Sequence, residues 1–196
     1  MRQLTSRQRW LAISGLLLAG IILIPLLIVM LLNEGGVNHL LTPVGSYFSM
    51  FQLIWPEHPL GALQFIITKS FIVLAHHDPR SDLNLWTLEY DAVTLFIYLC
   101  VALFAGRLLS RPLPDGPRRT GLYAALAGLA MVATTVTYMT ILDHCSGPNW
   151  VGFVTLYGLG VDPLNAYPFW QWTFGGAGLA LLGWGMWRLR GAPAGR

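Results

Sequence analysis

The chain has 196 residues, 55% hydrophobic and only 11% charged, with a formal net charge of +3. Soluble domains carry about 25% charged residues, so this composition argues against an ordinary soluble enzyme. The arginines flank long apolar runs instead of forming a stripe, which excludes a nucleic-acid surface as the meaning of the positive charge.

The first apolar run, Leu11 to Leu32, follows Arg2, Arg7 and Arg9. Signal-peptide cores run about 7–15 residues, and Asn33-Glu34-Gly35-Gly36 is a poor cleavage site, so the run reads as a retained span over about 10–32. Pro25 is expected to kink it, a break that neighbouring helices can tolerate. The segment 33–87 then contains a second apolar stretch, Leu60 to Ala75, of 16 residues with Lys69 near its middle. A crossing needs at least about 17 residues, and a mid-membrane lysine is costly. The stretch is therefore expected to form a re-entrant or interfacial element on the outer side.

A second span is expected over about 88–109, where helical spacing puts Asp91, Thr94 and Tyr98 on one face. Cys100 lies about 16 Å below the outer end of that helix at the usual helical rise and reads as a small packing residue. The segment Ser110 to Arg119 holds Pro112, Pro114 and Pro117, so it reads as a sharp hinge into an antiparallel helix. A third span follows over about 120–142, with Gly121, Ala125 and Gly128 suited to close helix packing. Counting at 100° per residue aligns Thr134, Thr137, Tyr138, His144 and Cys145, so a polar stripe is expected to descend from the outer surface. The segment 143–168 is unusually apolar and reads as a surface for headgroups or another protein. The last span, about 169–188, carries Gly175, Gly176, Gly178, Gly183 and Gly185 as further close-packing positions.

Ten of the twelve basic residues fall beside the ends of these runs: Arg2, Arg7, Arg9, Arg107, Arg111, Arg118, Arg119, Arg188, Arg190 and Arg196. Cytoplasmic loops retain Lys and Arg, so this pattern predicts four crossings with both termini in the cytoplasm. The expected fold is an all-α integral membrane protein. It is a single membrane domain over 1–196, a four-transmembrane-helix bundle with its re-entrant or interfacial element outside. The expected location is a bacterial inner membrane with the histidine-rich face in the periplasm.

The histidines and eight of the nine carboxylates map to that outer side. His76, His77 and Asp78, with His144 and Cys145, offer imidazole, carboxylate and thiolate donors that suit copper or zinc. Haem is less favoured, because no histidine sits at mid-membrane depth on two helices. The intramembrane stripe of Asp91, Thr94, Tyr98, Thr134, Thr137 and Tyr138 reads first as structural glue between two helices. Cys-x-x-Cys, His-Glu-x-x-His and a phosphate-cradling glycine loop are absent from the sequence.

Three functions follow in order of expectation. The first is a small non-catalytic subunit or assembly factor of a larger inner-membrane complex, respiratory or metal-dependent, with the bilayer and other membrane subunits as partners. The second is an outer-face copper- or zinc-binding or delivery protein. The third is a membrane redox enzyme with its site between the second and third helices.

Overall fold

The computed structural model describes residues 5–32, 36–41, 44–81, 83–114, 116–136, 138–141, 145–147 and 163–191. In chain order the elements are α1 (Ser6–Leu32), β1 (His39–Leu41), α2 (Val44–Ile54), α3 (Pro59–Thr68), β2 (Ser70–Asp78), β3 (Leu83–Asp91), α4 (Ala92–Leu109), α5 (Pro117–Thr134), β4 (Tyr138–Ile141), β5 (Cys145–Gly147) and α6 (Pro163–Gly191). Helix predominates, and the strands join in one antiparallel sheet of order β1-β2-β3-β4-β5. An all-helical fold was expected; the sheet corrects it.

Among the described residues two helices qualify by length and apolar composition to cross a membrane, α1 over Ser6–Leu31 and α4 over Ala92–Leu109, against an expectation of four. The two that fall short do so for visible reasons. The first turn of α5 carries Arg118 and Arg119, and α6 is rich in glycine and tryptophan with Asn165 and Gln171 near its start. The expected third span, 120–142, also stops early. Its helix ends at Thr134, and Tyr138–Ile141 is a strand. The run Val132-Ala-Thr-Thr-Val-Thr-Tyr138 is dense in β-branched residues, which lose side-chain freedom in a helix and fit a pleated surface. The hydroxyls of Thr134 and Thr135 donate to the carbonyls of Met131 and Val132 at 2.7 Å, in the last turn of the helix.

The apolar stretch 60–75 is likewise divided. α3 ends at Thr68, Lys69 adopts an extended conformation (φ −87°, ψ 139°), and β2 begins at Ser70. At about 1.5 Å per residue its 10 residues reach roughly 15 Å, half of a hydrocarbon core. No continuous helix runs through 60–75.

The backbone divides into two compact units. The helical unit comprises 1–24, 98–135 and 168–196. In it the Trp10 indole N–H of α1 donates to the Leu103 carbonyl of α4 at 2.9 Å, and Gly106 leaves room for Ser14. A Cβ at Gly106 would collide with Ser14 Oγ. α5 and α6 also pack backbone to backbone. A Cβ on Gly128 would lie 2.5 Å from the Gly178 carbonyl oxygen, and one on Gly185 would lie 2.6 Å from the Gly121 carbonyl oxygen. The seven-residue spacing from Gly121 to Gly128 matches that from Gly178 to Gly185, so both contacts fall on one seam. Alanine dominates the rest of this core: Ala102, Ala105, Ala124, Ala125 and Ala133 are all buried.

The sheet unit comprises 25–97 and 136–167. Its centre is the long β2–β3 hairpin, with Val73 opposite Glu89 and Ala75 opposite Thr87. Trp86, Leu88 and Tyr90, two residues apart on β3, are buried to 0%, 0% and 1% exposure and form the core of one sheet face. Thr87 points the other way and is buried too, so the central strand is covered on both sides.

Candidate functional site

The hairpin end at β2 collects several hydrogen-bonded polar groups. Asp78 closes the strand as the first residue of a turn, Asp-Pro-Arg-Ser. Its carboxylate accepts from the Arg80 backbone N–H at 3.0 Å and from the Ser81 hydroxyl at 2.8 Å. These bonds, the backbone one first, lower its pKa below the ordinary 3.8. One position back, the His77 backbone N–H donates to Asn38 Oδ1 at 2.7 Å, and Asn38 Nδ2 donates to the His77 carbonyl at 2.6 Å. The Asn38 amide thus imitates another strand residue and extends the β1–β2 pairing. The His77 ring nitrogen Nδ1 lies 3.3 Å from Asn84 Oδ1.

His76 has a more telling geometry. Its Nδ1 lies 2.6 Å from the Gly36 carbonyl oxygen, and a carbonyl only accepts, so Nδ1 carries the proton. In the neutral ring that leaves Nε2 as a lone-pair donor to metal or acceptor to hydrogen. The ring stacks near Trp86 at 6.5 Å between centroids. The pairing shifts register between these two histidines, with His76 opposite Trp86 and His77 opposite Asn84, so simple strand alternation does not describe this step. Among the described residues no three His, Cys, Asp or Glu side chains gather into a metal-binding group. Of the remaining donors expected for such a site, His144 lies outside the described residues and Cys145 opens β5.

The stripe expected on two helices is distributed differently. Asp91 is the last residue of β3, and its Oδ1 accepts the Thr94 backbone N–H at 2.6 Å, the geometry of a helix N-cap. Thr94 is buried and donates its hydroxyl to the Val136 carbonyl at 2.7 Å, tying α4 to the segment that leads into β4. Tyr98 is fully buried in α4. Thr134 is committed to its own helix, Tyr138 belongs to β4, and Thr137 lies outside the described residues. Helical spacing therefore does not align 134 with 138, because the helix ends at Thr134 and Tyr138 opens a strand.

Elsewhere in the sheet unit, Ser70 Oγ donates to Glu89 Oε2 across the hairpin. Tyr90 is buried deeply enough that desolvation pushes its hydroxyl pKa up to about 12 from 10.0. Sequence reasoning missed this sheet, although β3 signals it: Trp86, Leu88 and Tyr90 alternate with Thr87 and Glu89 at strand period. The turn residues Asp78, Pro79 and Ser81 mark the hairpin as well.

In the helical unit, Ser6, Arg7, Trp10, Cys100, Phe104 and Arg107 border an open groove between α1 and α4. The Arg107 guanidinium stands 6.0 Å from the Trp10 ring centroid. Cys100 is exposed here, which corrects its expected role as a packing residue. Comparison with known proteins finds no matching family, curated relative or solved structure.

Proposed function

We infer that the chain is a polytopic membrane protein and a non-catalytic subunit or assembly factor of a larger inner-membrane complex. The observation that carries this reading is the amount of apolar side chain left uncovered. Only 17% of the apolar window of α1 is buried, and Leu16, Leu23, Ile24, Leu27 and Leu31 are each at least half exposed. Such a surface is tolerated in lipid and aggregates in water. α4 behaves alike, with Phe96, Leu99 and Phe104 outward. In this reading α5 and α6 complete the bundle, because their glycine seam is the packing that membrane helices favour. The arginine pattern then sets both termini in the cytoplasm and the segments 33–87 and 143–168 outside.

The partner-binding part of the reading rests on α2 and α3. These helices, of 11 and 10 residues, are too short to cross, and the segment they form presents Phe48, Leu53, Trp55, Leu60, Leu63 and Ile67 outward. An apolar face on an outer module is a surface for another subunit, bordered by the headgroup layer.

Purification from the native host in mild detergent, scored by mass spectrometry, tests this. A stoichiometric larger membrane partner is expected, and Leu53→Glu combined with Leu60→Glu should release it while leaving the chain in the membrane fraction. A chain that emerges alone, monodisperse and intact overturns the subunit reading.

A further inference from the structure

At the end of the helical unit where α4, the hinge, α5 and α6 meet, a cleft of about 300 Å³ is lined by Arg111, Arg118 and Arg190. The lining also has an apolar part, built from Leu122, Met186 and Leu189. None of the described lining residues is acidic. Three like charges around a small space repel one another, and a bound anion offsets that repulsion.

The position of Arg118 sharpens the point. Arg190 sits in the last turn of α6, where the helix dipole welcomes a cation. Arg118 sits in the first turn of α5, at the positive end of the dipole, and that turn carries no acidic residue. The dipole disfavours a cation and favours an anion at that end of the helix. Gly116, with φ 56°, and Pro117 at the first helical position set the start of the helix at the cleft.

We propose that this cleft binds one anionic glycerophospholipid, its phosphodiester held by Arg111, Arg118 and Arg190 and its glycerol and upper acyl chain laid against Leu122, Met186 and Leu189. The guanidinium fork matches phosphate oxygens in a way a single ammonium does not. The apolar lining decides between a lipid and a free phosphate: a hydrated inorganic anion makes no use of it. The assignment rests on the membrane reading above, in which this end of the bundle lies at the cytoplasmic headgroup layer. Basic pockets between helix ends on that side are known headgroup sites.

The test uses the full chain taken into detergent from vesicles holding equal amounts of phosphatidylglycerol and phosphatidylcholine, with retained lipid counted by native mass spectrometry. At low salt the wild-type chain is expected to retain phosphatidylglycerol about tenfold over phosphatidylcholine, a preference that falls as salt rises. The combined Arg111→Gln, Arg118→Gln, Arg190→Gln variant should lose the preference, while Arg7→Gln with Arg9→Gln should keep it. An unchanged preference in the triple variant overturns the proposal. So does a wild-type chain without preference at low salt, which decides the matter even if the triple variant does not fold. Inorganic phosphate that displaces phosphatidylglycerol and binds in its place would assign the cleft to a soluble anion and overturn the lipid. Alkaline extraction of the same membranes separates the two readings. A chain washed out overturns the membrane reading, whereas a retained chain without lipid preference overturns this assignment alone.

Discussion

Asp91 stands between a strand and a helix, and its carboxylate is occupied in starting the helix. The Asp91→Ala variant removes the acceptor for the Thr94 N–H and should lower stability by about 1 kcal/mol, whereas Asp91→Asn keeps an acceptor oxygen and should recover most of the loss. Thermal unfolding of both variants beside the wild type in one detergent measures this; equal stability of all three forms would sink the cap assignment. Burial delays the ionisation of Tyr90, next to it. Its folded pKa is raised to about 12 from 10.0, so its contribution to stability is complete below about pH 10 and is lost as pH rises through about 12. Tyrosinate absorbance during an alkaline titration should lose a late-ionising component in Tyr90→Phe. Asp78 has the opposite sign. Its depressed pKa stabilises the turn above the ordinary 3.8, an effect lost as pH falls through the folded value.

At the scale of elements, the α5–α6 seam is a close backbone contact of the helical unit. Gly128→Leu would place its Cβ 2.5 Å from the Gly178 carbonyl oxygen and from the Leu182 backbone nitrogen, neither of which can yield without separating the helices. A loss of about 1–3 kcal/mol is expected from such overpacking. A Cβ at Gly183 meets nothing within 4 Å, so Gly183→Leu should not lower the melting temperature. The same thermal assay checks the pair, and equal destabilisation of both variants would refute the seam. The glycines on α6 were legible as packing positions, but which of them face α5 was not. Seven-residue spacing occurs twice, in Gly176/Gly183 and in Gly178/Gly185, and only the second pair meets a neighbouring backbone.

For the whole molecule, the proposed topology makes a prediction about sides. In a chain with Cys100 and Cys145 changed to serine, Glu57→Cys between α2 and α3 should react with a membrane-impermeant maleimide on intact cells. Leu113→Cys, exposed in the hinge, should react only after the inner membrane is opened. Labelling of both from the same side would overturn the crossing pattern. The two units have different sources of stability. The helical unit is built from small residues that let backbones approach, and the sheet unit from large aromatic and aliphatic side chains on alternate positions of β3.

Composition, the arginine pattern and the long apolar runs were sufficient to identify α1 and α4 as helices fit for a membrane, because hydrophobic length is a local property of the chain. The hinge that follows Leu109 was equally local, since proline cannot continue a helix. The sheet was decided by tertiary structure. β3 and β4 are far apart along the chain and become strands by exchanging hydrogen bonds, and a short apolar run reads alike as buried strand or helix until its partner is known. The polar stripe failed for the same reason: counting at 100° per residue assumes a helix, and the helix ends at Thr134 where the chain turns to pair in the sheet. Convergence of Arg111, Arg118 and Arg190 on one cleft was likewise invisible in one dimension. The sequence places them in the hinge and at the ends of two different helices, and packing alone brings those positions together.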